Sequence, residues 1–501
     1  MEIGLTRSEI EEKVKSMSVD FNYSFKETAV ILAAGHGKRI KSQTSKMLHK
    51  IWEIPTVERV CNACSKALGQ VNTVVVVGIK APSVMEAVGL KSVIFAYQAE
   101  QNGTGHAVQV ALQNIDKTKY EGIVYVLPGD MGLIDKATIR MFRQEFINSG
   151  SDMMVLTGLY EGNPAENNYG RIVRAKQKDD SGNSSGSDAG KVICIIEHKD
   201  ILKIPENEPL VLTLNGKKYS FTKKELIENN EFNSSVYAFK YKYLAELIDK
   251  IESNNAQKEI YLTDLIDLFN KRNLSVGAVS PLDQSVIMGF NNKSVLRQMD
   301  DIARLKVYEK LKDIIEIDDP EDFFIDESVV EEIIKMDMEI NTLDIKIGKG
   351  VYIGKGTELN TNLTFKKNVY ISGNIVFGRN VTIAENAHIS CYQGQKLHIN
   401  DNVTILQDNI IKGNTIIEEN SLIESGVNIT GSDEFPTRIG KNVTIKGTSY
   451  IFGCIVDSDL LIQHSVLIKK KIDKLENKDG TVQPVRFVLP QPEGIEAIEN
   501  L

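Results

Sequence analysis

From Ile347 onward an aliphatic or aromatic residue recurs at every sixth position, through Ile353, Leu359, Phe365, Ile371, Phe377, Ile383 and Ile389. The register then jumps ten residues to Ile399 and continues through Ile405, Ile411, Ile417, Ile423 and Ile429. It jumps ten again to Ile439 and ends with Ile445 and Ile451. Gly or Asn often follows within two residues, as in IGKGVY, IGKGTE, FGRNVT and IGKNVT. Such a hexapeptide period marks a parallel β-helix, in which each repeat is one short strand whose apolar residue points inward and stacks on the next coil. Residues 341–470 are assigned to it. The two jumps predict four-residue loops thrown out from the coils, and residues 471–501, which lack the period, read as a C-terminal tail.

A chain of 501 residues is too long for one core, and length alone predicts about two to four domains. Residues 27–292 have a different texture. Short β-rich runs (AVILAA, TVVVVGI, SVIFAYQ, GIVYVLPGD, DMMVLTGLY) alternate with stretches of helical period, which predicts an α/β domain with a mostly parallel sheet and helices on both faces. In such sheets ligands bind beyond the carboxyl ends of the strands, where AAGHG and LPGD fall. Residues 1–26 form an extension in which Ser8 and Glu11 make a candidate capping box for a short amphipathic helix, a surface brace. Two insertions interrupt the domain. Lys176 to Gly190 is polar and low in complexity, so it reads as a flexible loop. VLTLNGKKYSF, with Asn215-Gly216 between alternating strands, predicts a hairpin. Residues 293–340 read as a helical linker, with one long amphipathic helix over Ser294 to Ile315.

The formal net charge of -9 argues against a nucleic-acid partner. Basic residues cluster around positions 38 to 50, without interleaved aromatics, which suits a small anion better than a strand of nucleic acid. The odd count of five cysteines points to reduced thiols. Cys61 and Cys64 form a C-x-x-C on a helical-period segment with no second ligand pair, and read as core. There is no N-terminal apolar region of the export type and no run of about 18 apolar residues, so a soluble, cytoplasmic protein without membrane contact is expected.

The segment from Ala29 to Pro55, AVILAAGHGKRIKSQTSKMLHKIWEIP, runs an apolar strand into a glycine-rich, basic loop. Small residues let backbone N–H groups approach phosphate oxygens, and Lys38, Arg39, Lys41 and Lys46 supply positive charge, which suits a triphosphate. It is neither of the two commonest nucleotide loops: Ile40 stands where a dinucleotide fingerprint needs glycine, and Arg39 where a P-loop needs Ser or Thr. It resembles the LxxGxGxR…K signature of sugar-nucleotide pyrophosphorylases, with Leu32, Gly35, Gly37, Arg39 and Lys46 on the signature positions. The resemblance implies Arg39 and Lys46 as catalytic residues, with Leu32, Ala33, Ala34 and Gly35 along the substrate.

QAEQNGTGHAV, from Gln98, resembles one branch of that family, the N-acetylglucosamine-1-phosphate uridylyltransferases. By this resemblance Gln98 reads the uracil edge, its amide offering donor and acceptor together, and Gly103 and Thr104 line the base. Asp130, closing a strand in YVLPGDMGLI, resembles the family's magnesium-binding aspartate, and Asn291 in IMGFNN its second ligand. Gly170, Glu197 and Asn233 fall on positions that hold the acetamido sugar. NAQKEIYLTD, from Asn255, is a further segment typical of the branch. The implied substrates are UTP and a sugar 1-phosphate, the implied cofactor Mg²⁺, and the implied fold a Rossmann-like nucleotidyltransferase domain followed by a left-handed parallel β-helix. Two departures, Pro128 before Gly129-Asp130 and Gly132 where many relatives carry proline, are expected to alter the base or sugar pocket more than the metal site.

In bifunctional members of this family the β-helix is an acetyltransferase, marked by an arginine-proline coil, a GSKxxHLxYxGD segment and an NYDG loop; none occurs here. His388, His398 and His464 remain as candidate bases, His398 beside a register break being the best placed. The expectation is a uridylyltransferase whose β-helix keeps its fold without that site and assembles the protein as a homotrimer, with a bifunctional enzyme or a transferase for another sugar as alternatives.

Overall fold

The apolar run at Thr28 becomes the middle of a nine-stranded sheet. A computed structural model of the chain describes residues 5–488 apart from 36, 38–39, 79, 90–91, 254–258 and 341. It divides into two units, Met1–Asp300 and Asp301–Leu501. Besides a short antiparallel pair, Lys50–Ile51 with Ile54–Pro55, the strands of the first unit are β1 (Glu27–Leu32), β2 (Val71–Val77), β3 (Ile94–Tyr97), β4 (Ile123–Pro128), β5 (Met153–Leu159), β6 (Arg171–Arg174), β7 (Val192–Ile196), β8 (Leu210–Leu214), β9 (Lys217–Phe221), β10 (Glu231–Lys240) and β11 (Val276–Val279). The main sheet runs β11-β5-β10-β4-β1-β2-β3, and β6 pairs with β10 and β7. Within that path only β10 is antiparallel to its neighbours.

Alternation along β1 sends Ala29 and Ile31 to one face and Val30 to the other. Helices Thr56–Leu68 and Lys136–Ser149 cover the first face, and Thr104–Leu112, Tyr241–Leu247 and Leu265–Lys271 the second. Both faces of the parallel strands are therefore buried, as expected of such a sheet. Cys61 and Cys64 are core residues of the first face, and burial raises both thiols above their ordinary range.

The N-terminal helix is Arg7–Met17, and its capping box is Thr6 with Glu9 rather than Ser8 with Glu11. Both pairs have the same spacing, but the Thr6 hydroxyl accepts from Glu9 N and the Glu9 carboxylate accepts from Thr6 N at 2.6 Å, which starts the helix a residue pair earlier. Ser18, just past this helix, accepts from Phe95 N at 2.9 Å, so the extension braces the edge strand β3.

The stretch expected as a flexible loop, Lys176–Gly190, is an ordered turn. Asp179 accepts from the backbone N–H groups of Ser181 and Asn183, Ser185 is buried under the Tyr219 hydroxyl, and Asp188 pairs with Lys191. Short polar side chains that bond their own backbone give the segment order without a core. The adjoining hairpin, β8 with β9, turns at Asn215 and Gly216 with φ of 49° and 77°, the left-handed pair that a two-residue turn requires.

In the second unit, three parallel sheets of eight, eight and seven strands stack coil on coil, the left-handed β-helix that the period predicts. Every periodic residue is buried except Leu359, which is half-buried. Equivalent residues lie 18 apart, or 22 where one of the two predicted loops intervenes. The stack is longer than the period. Its first rungs, Glu316–Ile317 and Phe323–Ile325, lie inside the segment expected as linker, after the helix Lys293–Leu311, and helix Glu327–Glu339 follows them. Past Ile451 the coils shorten to steps of 16 or 17 residues, through Ile462 and Ile472. The expected tail is also engaged: Val485 bridges Ile462 in parallel, and Phe487 N donates to Ser465 Oγ at 3.0 Å.

One corner of the coil is an asparagine ladder. Asn362, Asn380, Asn402, Asn420 and Asn442 have φ between 55° and 61°, and each Nδ2 donates to the residue one coil on, ending at Asp459. Asparagine tolerates the left-handed corner and bonds along the stack at once. Asn402→Ala, which loses both bonds and places a Cβ-bearing residue without local compensation at φ 59°, should destabilise this unit by about 2 kcal/mol, and Asn402→Gly by about half as much. Urea unfolding followed by circular dichroism checks it, and equal losses for the two variants would show that φ is not the issue.

Candidate functional site

The loop after β1 is tied down from three directions. Ala33 N donates to Val76 O at 2.9 Å, Gly129 N to Leu32 O at 3.0 Å, and Gln101 Nε2 to Ala34 O at 2.6 Å. Leu32 is half-buried, Ala33 and Ala34 are buried, and Gly35 is exposed with open space where a Cβ would stand. Gly37 has φ 60°, and a Cβ there would lie 2.6 Å from Lys46 Cβ, so a glycine lets the loop close against the lysine stem. Lys38 and Arg39 lie outside the described residues.

Lys46 is the hub. Its ammonium pairs with Asp130 Oδ2, donates to Asn291 Oδ1 at 3.1 Å, and lies 5.2 Å from the centre of the buried Phe290 ring. Asp130 sits just beyond the carboxyl end of β4, and Gly289 passes beside it: a Cβ there would lie 3.4 Å from Asp130 Oδ2. Three residues singled out from distant segments thus meet at one cation. Among the described residues no group of three or more His, Cys, Asp or Glu side chains is arranged to hold a metal. A carboxylate and an amide oxygen converging on one positive charge form the sparse, hard-oxygen set that Mg²⁺ accepts when phosphates supply further ligands. Asp130 and Asn291 fit that ion.

Gln98 and Gly103 form a second cluster. Gln98 follows β3, is buried, and its amide nitrogen faces Gly103 O at 3.3 Å and His106 Nδ1 at 3.1 Å. Gly103, with φ 103°, precedes helix Thr104–Leu112. Gly105 N donates to Ile260 O at 2.8 Å, Ile260 N to Asn102 O at 2.8 Å, and Leu262 N to Thr104 Oγ1 at 3.2 Å. The described part of the NAQKEIYLTD segment thus locks the QNGTG turn; its residues 255–258 lie outside the described set.

The third cluster joins Gly170, Glu197 and Asn233. Asn233 N donates to Gly170 O at 2.9 Å, and a Cβ on Gly170 would lie 3.0 Å from Glu197 Oε1. A β-bulge between Asn233 and Val236, with Ser235 at φ 66°, re-aims β10 here. The Asn233 carboxamide is held on both sides, accepting from Ser235 N at 2.9 Å and donating to Tyr237 Oη at 2.7 Å. Two residues absent from the sequence-based set belong to this cluster. Tyr237 is buried and positions Asn233. Asp264 acts on Glu197 electrostatically and ends the same IYLTD run that locks the QNGTG turn. The spacing Asn233-x-x-x-Tyr237 carries no signal without knowledge of the bulge, whereas Asp264 stood in a segment already noticed.

Burial, reinforced by Asp200 and Asp264, pushes Glu197 up to about 7. Burial with Asp267 and Asp200 pushes Asp264 up to about 6. A carboxyl raised in this way stabilises the fold while protonated, and the stabilisation is lost as pH rises through its folded value. Unfolding of the first unit, reported by the single tryptophan Trp52, should become easier as pH rises from about 4.5 to 7, and Glu197→Gln should remove about 1–3 kcal/mol of that slope. An unchanged slope in the variant would assign the titration elsewhere.

The β-helix histidines do not form a comparable site. His398 is half-buried on an outward strand position, held below its ordinary value by burial and by Lys396. His388 stacks on Tyr370 at 4.7 Å, and His464 is an exposed corner residue bonded to Gly447 O. Glu358 acts on His398 and Glu424 on His464 electrostatically, without a close ion pair among the described residues.

Residues 29–188 match the model of the MobA-like NTP transferase domain. The match falls within the first unit. Bifunctional protein GlmU of Acetivibrio thermocellus is 33% identical over 60% of this chain and 57% of its own length. Bifunctional protein GlmU of Caldanaerobacter subterraneus subsp. tengcongensis is 38% identical over 38% of this chain and 37% of its own. The corresponding protein of Bacillus velezensis is 37% identical over 40% of this chain and 39% of its own. The chain thus spans between about two fifths and three fifths of these relatives. Among the described residues no helix is long and apolar enough to cross a membrane.

Proposed function

We propose that the first unit is a uridylyltransferase that joins UTP to N-acetylglucosamine 1-phosphate and releases pyrophosphate. The observation that carries this reading is the meeting of Lys46, Asp130 and Asn291 at one cation, in a unit that also holds the Gln98–Gly103 and Gly170–Glu197–Asn233 clusters. The glycine-rich loop and Lys46, with Arg39, bind the triphosphate. Gln98, Gly103 and Thr104 hold the base, and Gly170, Glu197 and Asn233 hold the acetamido sugar.

A sugar 1-phosphate is already an anionic nucleophile, so no general base is required. The barrier is the repulsion of two phosphates, and in-line attack on the α-phosphorus is governed by positioning and charge neutralisation. Lys46 supplies a cation in the site. Mg²⁺, held by Asp130 and Asn291, would neutralise further phosphate charge. A carboxyl of Glu197 kept protonated to about pH 7 can donate to a sugar oxygen as well as accept. The β-helix, without the acetyltransferase motifs, serves assembly, and by the resemblance that assembly is a trimer in the cytoplasm.

Pyrophosphate release from UTP, Mg²⁺ and N-acetylglucosamine 1-phosphate is the direct test, and Lys46→Ala should lower the rate by ~10²–10³. A parallel reaction with glucosamine 1-phosphate and acetyl-CoA should release no thiol; thiol release would restore a bifunctional enzyme. Because the Lys46 ammonium occupies the meeting point of Asp130 and Asn291, Lys46→Ala should bind Mn²⁺ without nucleotide more tightly than the unaltered chain, by about tenfold. Electron paramagnetic resonance titration reads this independently of turnover, and weaker binding in the variant would show that the lysine does not compete with the ion.

A further inference from the structure

The amide of Gln98 is fixed in one of its two orientations. Its backbone N–H bonds Val77 O at 2.8 Å and the residue is buried, so the side chain leaves the sheet in a set direction. The amide nitrogen is 3.3 Å from Gly103 O. A carbonyl oxygen only accepts, so it is the NH₂ end of the amide that faces this wall. The same nitrogen is 3.1 Å from His106 Nδ1. That ring nitrogen must accept in turn, which places the ring proton of His106 on Nε2. A proton on Nδ1 would set two donors against each other.

The wall itself does not give. Gly103 and His106 belong to one helix start, and a Cβ on Gly103 would lie 2.5 Å from Ile260 O. With both Nε2 hydrogens directed at Gly103 and His106, Gln98 has Oε1 left for a ligand, and no described residue donates to that oxygen.

We infer that His106 is a specificity-determining residue: by accepting from Gln98 Nε2 it holds the amide so that the base site presents a lone acceptor, which selects a pyrimidine with an imide N3–H. The inference rests on the reading of Gln98 as the base-contacting residue and refines it, since the amide's donor half is engaged within the protein. Uracil donates at N3 and is matched. Cytosine carries a lone pair at N3 and meets Oε1 acceptor to acceptor. Without the His106 acceptor, only the longer contact to Gly103 opposes an amide flip, and the flipped NH₂ suits cytosine.

The test compares kcat/KM for UTP and CTP, by pyrophosphate release, in the full-length unaltered chain, His106→Leu and His106→Asn. His106→Leu removes the acceptor and should lower the UTP-to-CTP ratio by about tenfold, with the CTP value holding or rising while the UTP value falls. His106→Asn, whose Oδ1 can accept, should restore most of the ratio. An unaltered ratio in His106→Leu, with both substrates slowed alike, overturns the inference and leaves Gln98 as base reader. An unaltered chain that uses CTP as well as UTP, or neither, overturns the base-site reading and the inference together. Should His106→Leu fail to fold, ¹⁵N-histidine spectra of the unaltered chain decide: an unprotonated Nδ1 on His106 supports the inference, and a protonated Nδ1 overturns it.

Discussion

A single ammonium organises the first unit. Lys46 is separated by 245 residues from Asn291, yet its Nζ is shared between Asn291 and Asp130, while its stem lies under Gly37. A partly buried carboxylate at a strand end requires a counter-charge, and removing either partner of such a pair is far more costly than forming it. Meeting that requirement from the loop after β1 brings the glycine-rich turn, the end of β4 and the Gly289–Asn291 segment to one point. The open space beside Gly35 and the oxygen pair at the lysine lie along the same closed loop.

The legible parts of the chain were those in which local chemistry and the tertiary fold agree. The parallel core of the first unit was visible in its β-branched runs, the hairpin in Asn215-Gly216, and the coil in its six-residue period, because each signal is set by a few neighbouring residues. The errors arose where the deciding partner was distant or where composition misled. Lys176–Gly190 has the composition of a linker, but Asp179, Ser185 and Asp188 satisfy backbone and neighbouring groups with their side chains, so polarity builds order there instead of removing it. The last coils escaped notice because their turns drop one or two residues, which breaks the count while leaving inward-facing Ile462 and Ile472 in place.

The candidate site was legible as residue types and illegible as relations. Lys46, Asp130 and Asn291 could be named from motifs, but not that the lysine would stand between the other two. Asn233 was visible; the bulge that turns it, and Tyr237 that clamps it, were not, since a bulge is decided by pairing across β5 and β10. His106 lay inside the most specific motif of the chain, and its meaning depends on which end of an amide faces it, a question of donor polarity that spacing does not encode.

The two ends of the β-helix give the stack a finite length. A coil of parallel strands presents a row of unpaired N–H and C=O groups at each terminus, and identical molecules could add there without limit. At one end the helix Glu327–Glu339 follows the first rungs and buries Val329, Val330 and Ile333; at the other, Val485 and Phe487 pair with the last coil. Ends engaged in this way offer fewer free N–H and C=O groups to a second copy, which disfavours end-to-end addition of strands.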